Sequence, residues 1–218
     1  FESNFAFDRH GTIWTDSFST DPKIYKENFW QKKFNLVSNS SLENVWERHF
    51  EDSAQLFEYI PEDAENLIDF GSGAGFPAMV IAIIANEKTP YLKVTMVESI
   101  KKKTLYLNEV AVKTGVNVEI KNDRIENLPL KKYDVITSRA MASLVDLLKY
   151  AYPFCSERTV CLFPKGKNYS LELAEAHKKW RFKCSIEQSK VSEEGKILII
   201  TDIKKKKEKR NAKNFSRS

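Results

Sequence analysis

The stretch Asp69-Phe70-Gly71-Ser72-Gly73-Ala74-Gly75-Phe76-Pro77 sets one carboxylate and three glycines between the apolar run Leu67–Phe70 and a segment with helical spacing. Glycines in a strand-to-helix turn let the backbone come close to a ligand, and the helix start adds free N–H groups and a favourable dipole. Many nucleotide binders share such a turn, so its details must separate them. A pyrophosphate fingerprint wants its third glycine where Phe76 stands. Asp69 would also repel a pyrophosphate, whereas a carboxylate beside the turn suits a cation. S-adenosylmethionine carries a sulfonium and an ammonium group. It is the ligand favoured by Asp69, Gly71, Gly73 and Gly75.

Other residues extend the pocket. Glu98 closes the run Val94–Val97, and an acid at that point of an open α/β sheet lies at the ligand crevice, able to accept both ribose hydroxyls. An exposed strand-end acid is the plainer alternative. The segment Asn122-Asp123-Arg124-Ile125-Glu126 follows the third strand, where an adenine ring would be held. Arg139 and Lys165 each follow a strand at the same sheet edge. Arg139 is a candidate for the site or for a structural ion pair, and Lys165 for contact with the substrate.

No Ser-His-Asp, Cys-His or paired-acid device is evident. Of the three histidines, His10, His49 and His177, His49 is read as structural. Arg48 and Asp52 lie four apart and fit an ion pair across a helix face. Lys101, Lys102 and Lys103 begin a helix, where cations oppose the macrodipole unless an anion such as RNA phosphate compensates. A solvated helix face explains them equally well. Trp46, Phe50 and Phe76 could stack on a base, although core packing is the commoner fate.

The elements that must position these groups follow from periodicity. Strands are expected near 67–70, 94–97, 116–120, 133–137, 160–163, 181–188 and 196–202. Helices are expected near 77–86, 100–113, 142–152 and 171–180. Thr20-Asp21-Pro22 starts a helix to about Phe34, and a further helical stretch runs from Leu42 to Tyr59. Alternating strand and helix give an α/β fold: a doubly wound, mainly parallel, seven-stranded Rossmann-like sheet. The expected organisation is a mainly helical N-terminal extension over 1–60, the ligand-binding domain over 61–203, and a basic, disordered tail over 204–218.

The chain has 218 residues, 42% hydrophobic and 30% charged, enough for one α/β domain with a real core. No apolar run reaches the roughly 18 residues of a membrane span, and the start shows no secretory pattern. Cys155, Cys161 and Cys184 are odd in number and lack metal-site spacing, which suggests buried small hydrophobes, no metal and a reducing cytoplasm. The net charge of +5 is unevenly placed: from Lys204 to Ser218 eight basic residues face one acid, a balance of +7, leaving residues 1–203 at −2. Such a run is a solvated end or an attractor for phosphates.

Trp46-x-Arg48-His49-x-x-Asp52-Ser53, the Asp69–Pro77 loop, Glu98-Ser99-x-Lys101-Lys102, Arg124-x-Glu126, Ser138-Arg139-Ala140-x-Ala142-Ser143-Leu144 and Lys165-Gly166 occur in one order. In that order they resemble the glucose-inhibited division protein B family over about Phe29 to Asp202. The Arg-His-x-x-Asp-Ser and Ser-Arg-Ala segments are its most specific parts. The resemblance implies a bacterial, S-adenosylmethionine-dependent methyltransferase acting on a guanine N7 of 16S rRNA or the small ribosomal subunit, and a monomer is favoured. It implies cofactor contacts at Gly71, Phe76, Ile125, Glu126 and Arg139. The sequence departs from the family pattern at Ala78, where glycine is usual, and at Phe163-Pro164. A methyltransferase for a small molecule or protein, and a non-catalytic RNA- or nucleotide-binding domain, are the competing readings.

Overall fold

Runs of four or five apolar residues become strands here because both of their faces are covered, the burial expected of a parallel sheet flanked by helices. The computed structural model describes residues 44–206. Its elements are β1 (Asn66–Phe70), β2 (Lys93–Val97), β3 (Val118–Lys121), β4 (Tyr133–Thr137), β5 (Cys155–Lys165), β6 (Trp180–Gln188) and β7 (Lys196–Lys205). The helices are α1 (Asp52–Ala54), α2 (Ala78–Lys88), α3 (Lys101–Thr114), α4 (Leu144–Ala151) and α5 (Tyr169–Lys179). The sheet order is β3-β2-β1-β4-β5-β7-β6. The first five strands are parallel, and β7 runs antiparallel to both of its neighbours. This is the expected seven-stranded, mainly parallel sheet.

Side-chain alternation divides the core into two layers. Leu67, Val94, Met96, Val135, Leu162 and Ile197 face one layer with α2 and α3. Ile68, Val97, Ile136, Cys161, Phe163 and Leu198 face the other, with α4 and α5. Helix α2 is buried on nearly every side, so a second cover is needed outside it. The N-terminal segment supplies that cover: Val45, Phe50 and Leu56 belong to the same core layer. Burying a side chain such as Leu56, fully inaccessible, is worth about 1.5–3 kcal/mol.

The chain crosses from β1 to β2 in one direction and reaches β4 in the other. The carboxyl ends of β1 and β4 therefore border the switch-point crevice, where ligands bind in open α/β sheets. Local chemistry ends the elements nearby. Ser143 caps α4 by accepting from the Asp146 N–H, and Gly115 ends α3 in the left-handed region.

Several boundaries differ from expectation. The helical stretch ending at Tyr59 is a π-helical turn (Trp46–Glu51), then α1, then a 3-10 turn (Gln55–Tyr59). Strand β5 begins five residues earlier, with a register shift against β4 between Tyr133 and Val135. Strand β7 continues to Lys205, with Lys204 opposite Arg181 and Lys205 opposite Trp180, so the ordered chain runs past the expected tail boundary at 204. Pro164 is tolerated because the β4–β5 pairing ends at Thr137–Leu162, leaving its β4 side without a strand partner. Ala78 is fully buried in the first turn of α2. Cys155 and Cys184 are only half-buried, unlike Cys161. The expected helix over 21–34 and the tail beyond 206 lie outside the described residues. No described helix is long and apolar enough to cross a membrane.

Candidate active site

A cleft of about 930 Å³ opens at the carboxyl ends of β1, β4 and β5. One wall is the loop after β1. Its path is set by the Ser72 N–H donating to the Val97 carbonyl at 3.0 Å and by the Gly75 N–H donating to the Ser72 carbonyl at 2.7 Å. Gly71 and Gly73 have φ of 68° and 55°, a region that costs an L side chain about 1–2 kcal/mol. A Cβ on Gly71 would also lie 2.8 Å from Cγ of Met141, whereas one on Gly73 would meet only the Gly71 carbonyl oxygen at 3.7 Å. The requirement at Gly73 is thus conformational rather than steric.

Beneath this loop lies Asp69, with no accessible surface. Its Oδ1 accepts from the Thr137 hydroxyl at 2.7 Å, and its Oδ2 has no hydrogen-bond partner. Burial pushes the carboxyl up to about 7, against the pull of the Ser72 and Thr137 hydroxyls and the Arg139 charge, and the Glu98 charge adds to the rise. An orphaned buried acceptor is costly, which makes this oxygen a candidate acceptor for a donor or cation.

Glu98 is 6% exposed and braces the same loop. Its Oε2 accepts from the Gly73 N–H at 3.0 Å and its Oε1 from the Ile100 N–H at 2.8 Å. It is therefore the anion at the start of α3, so the three lysines there have a compensating charge within the protein. A carboxylate has about four acceptor sites, and these bonds use two. Asn122 ties the end of β3 to this corner by donating to the carbonyls of Glu98 and Ser99.

The opposite side is organised by Arg139. Its guanidinium donates to the Arg48 carbonyl at 3.1 Å and to Asp52 Oδ2 at 3.2 Å, and its second nitrogen meets His49 Nδ1 at 2.9 Å. Asp52 thus pairs with Arg139 instead of with Arg48. Because guanidinium only donates, Nδ1 of His49 accepts. Burial and the positive charges of Arg139 and Arg48 hold the imidazole neutral, with its pKa down to about 3. His49 stacks on Phe76 with ring centroids 5.0 Å apart, and Arg139 lies 5.1 Å over the same ring. Phe76 and Phe50 are core residues in edge contact, and Trp46 packs beside them.

The cleft brings together Gly71, Gly73, Phe76, Arg139, Lys103 and Lys165. Asp69 and Gly75 support the loop from below. Ile125 packs into the core layer with Val97, and Glu126 is exposed; neither lines this cleft. The lysine trio divides, since only Lys103 reaches the cleft while Lys101 and Lys102 are exposed on α3. Lys165 is at the cleft, but its ammonium is held by Glu172 at 2.8 Å and the Ala142 carbonyl at 3.1 Å.

Several lining residues carried no recognisable signal in the sequence. Met141 follows Ala140, which is left-handed at φ 52°, and strain of that kind concentrates at functional sites. Glu172 and the hairpin residues Ser189, Ser192 and Gly195 also line the cleft. The run Ser-Glu-Glu-Gly at 192–195 reads as a turn, but its place at the cleft depends on distant contacts. Buried Gln55 provides them, donating to the Ser189 hydroxyl and accepting from the Lys190 N–H. Among the described residues no His/Cys/Asp/Glu group could hold a metal ion.

Comparison with known proteins places this architecture. The model of the family described as rRNA small subunit methyltransferase G (GidB) matches residues 25–209. Ribosomal RNA small subunit methyltransferase G of Ruegeria sp. (strain TM1040) is 41% identical over 170 residues, covering 78% of this chain and 82% of the relative. The protein of the same name from Parvibaculum lavamentivorans is 41% identical over 176 residues, 80% of this chain and 77% of the relative. In fold, a SAM-dependent methyltransferase from Aquifex aeolicus superposes with a TM-score of 0.56 at 16% identity, covering 79% of this chain and 97% of that structure. With most of its length matched by the family model and by relatives at this identity, the chain belongs to the rRNA small subunit methyltransferase G family.

Proposed function

We propose that this chain binds S-adenosylmethionine in the cleft after β1 and methylates N7 of a guanine in 16S rRNA. The observation that carries the cofactor is the unpartnered Asp69 Oδ2 beneath a loop that requires glycine. A cation or ammonium donor satisfies that oxygen. The two remaining acceptor sites of Glu98, one strand over, suit a diol. When bound, S-adenosylmethionine supplies an electrophilic methyl group on sulfur.

The protein's share is small in covalent terms. N7 of guanine is a lone-pair nucleophile, and its methylation releases no proton, so no general base is needed. That agrees with a site whose histidine is neutral and committed to Arg139. Holding the base in line is worth up to several kcal/mol, since effective molarities of roughly 10⁵–10⁸ M are attainable. Arg139, fixed from three sides, and the rigid loop are suited to that task. The RNA substrate is supported by the family to which the chain belongs; a cytoplasmic place of action accords with such a substrate.

The test is base-level mass mapping of 16S rRNA from cells with and without this protein. One guanine carrying an added methyl group and a fixed positive charge on its ring only when the protein is present is the expected result, because the lone pair takes the methyl group and no hydrogen leaves. Unchanged guanines would refute the assignment.

A further inference from the structure

Across the cleft from the glycine loop, Lys165 and Glu172 form a pair of unequal exposure, 9% for the lysine side chain and 28% for the glutamate. The lysine ammonium is 2.8 Å from Glu172 Oε2 and also donates to the Ala142 carbonyl. The Leu144 N–H donates to that same Oε2 at 2.8 Å. Two donors therefore fix one oxygen of Glu172. The other, Oε1, has no hydrogen bond among the described residues, and the residue lines the cleft. A carboxylate held by one oxygen, with the second available, is a preorganised acceptor.

Resting on the proposed guanine substrate, we propose that Glu172 is a specificity residue that reads the Watson–Crick edge of the target base through Oε1. Guanine presents two adjacent donors on that edge, N1–H and the N2 amino group. Adenine presents a bare N1 acceptor there, which a carboxylate repels. Sites built to accept a buried hydrogen bond reject analogues that lack the donor. The geometry of the purine adds a second reason. N7 lies on the opposite edge of the ring system from N1 and N2, so a base held by Glu172 turns N7 across the cleft, toward the loop of Gly71 and Gly73. Lys165 is then a positioning residue: it does not touch the base but fixes the oxygen that lets Glu172 do so.

The experiment uses the full chain and a small-subunit rRNA assembled by splinted ligation. Guanosine or inosine stands at the guanine located by mass mapping; inosine lacks only the N2 amino group. Wild type is expected to prefer guanosine RNA by about 10- to 100-fold in kcat/KM, the range for a hydrogen bond to a charged group. Glu172→Ala should turn over guanosine RNA more slowly and lose most of that preference, and Lys165→Met should reduce it. Affinity for S-adenosylmethionine should be unchanged in both variants, which shows that they fold. Equal turnover of the two RNAs by wild type overturns the proposal, with no variant needed. Retention of the full preference by Glu172→Ala, with only slower turnover of both RNAs, would make Glu172 a cap for α4 and overturn it too. Failure of wild type to methylate the guanosine RNA, both naked and reconstituted into the small subunit, would instead refute the assignment of function.

Discussion

In the proposed cofactor site, Asp69 couples ligand binding to a proton. With its carboxyl at about 7 in the cofactor-free protein, half of the molecules are ionised at pH 7 and about one in thirty at pH 5.5. A ligand whose ammonium requires the ionised form must remove that proton below pH 7. Its affinity should fall roughly fifteenfold from pH 7.0 to 5.5, approaching tenfold per unit at the lower end. Calorimetry with S-adenosylmethionine in buffers of different ionisation enthalpy reads both the slope and the proton released. Asp69→Asn should bind more weakly at pH 7 and lose the slope, while an analogue without the amino group should show none even with wild type. His49 does not confuse this window, because it stays neutral above about 3. The same shift has a stability consequence of defined sign. A carboxyl whose folded pKa is raised favours the fold below its unfolded value of 3.8, and that contribution is lost as pH rises through about 7. That rise in pKa corresponds to roughly 4 kcal/mol, so urea midpoints of wild type and Asp69→Asn should diverge from about pH 4 to about pH 7 and run parallel above it. A flat affinity profile, or the same slope in Asp69→Asn, would refute the placement of the cationic subsite.

Four further outcomes test other parts of the site. Gly71→Ala should weaken cofactor binding and lower stability by at least about 1–2 kcal/mol through its backbone angle alone, with displacement of Met141 added; an unaffected melting temperature would show that the loop is malleable. Glu98→Ala should cost about 1–3 kcal/mol of cofactor affinity and also lower stability, since it leaves the Gly73 and Ile100 N–H groups without their acceptor; unchanged calorimetry would remove Glu98 from the site. Asp52→Ala should reduce kcat by releasing Arg139, at a stability cost of about 1–3 kcal/mol, and steady-state kinetics matching wild type would exclude a positioning role. Removing residues 207–218, a balance of +4, should leave cofactor affinity intact but weaken RNA binding and flatten its salt dependence by about 0.7–0.9 per lost phosphate contact; filter binding at several salt concentrations decides, and an unchanged slope makes the tail passive. That deletion starts at 207 because Lys204 and Lys205 belong to β7.

What could be read from the sequence was what is local. The glycine loop, the acid after β2 and the strand runs each carry their signal within about ten residues, and parallel strands buried on two faces appear as unbroken apolar runs. The failures lie where a partner is distant. Arg48 and Asp52 suggest an ion pair because they are four apart, yet Asp52 is 87 residues from the guanidinium it binds. Arg139 is largely buried, so leaving it without an anion would cost far more than an exposed helix pair returns. Lys101, Lys102 and Lys103 look alike in sequence, but successive helical side chains turn by about 100°, and only the third reaches the cleft. Lys165 reads in the sequence as a candidate for substrate contact at a strand end, and nothing local ties it to Glu172, seven residues on. Together they form a pair in which the acid is the more exposed member.

The segment before β1 serves the cleft as well as the core. A seven-stranded sheet with α2 and α3 already forms the glycine loop, but it leaves the outer side of α2 and the flank of the cleft open. Leu56 and Phe50 close the first gap by burial. The polar residues between them serve the second: His49 and Asp52 hold Arg139 over Phe76, while Gln55 grips the β6–β7 turn through Ser189 and Lys190. Glu58 reinforces that grip through the Lys190 ammonium at 2.5 Å. One short helical stretch thus joins the loop after β4 to the hairpin on the far side of the sheet. Its mixture of π, α and 3-10 turns is consistent with this double duty, because a regular helix of this length would present one stripe, whereas these side chains must serve a core, an arginine and a hairpin at once.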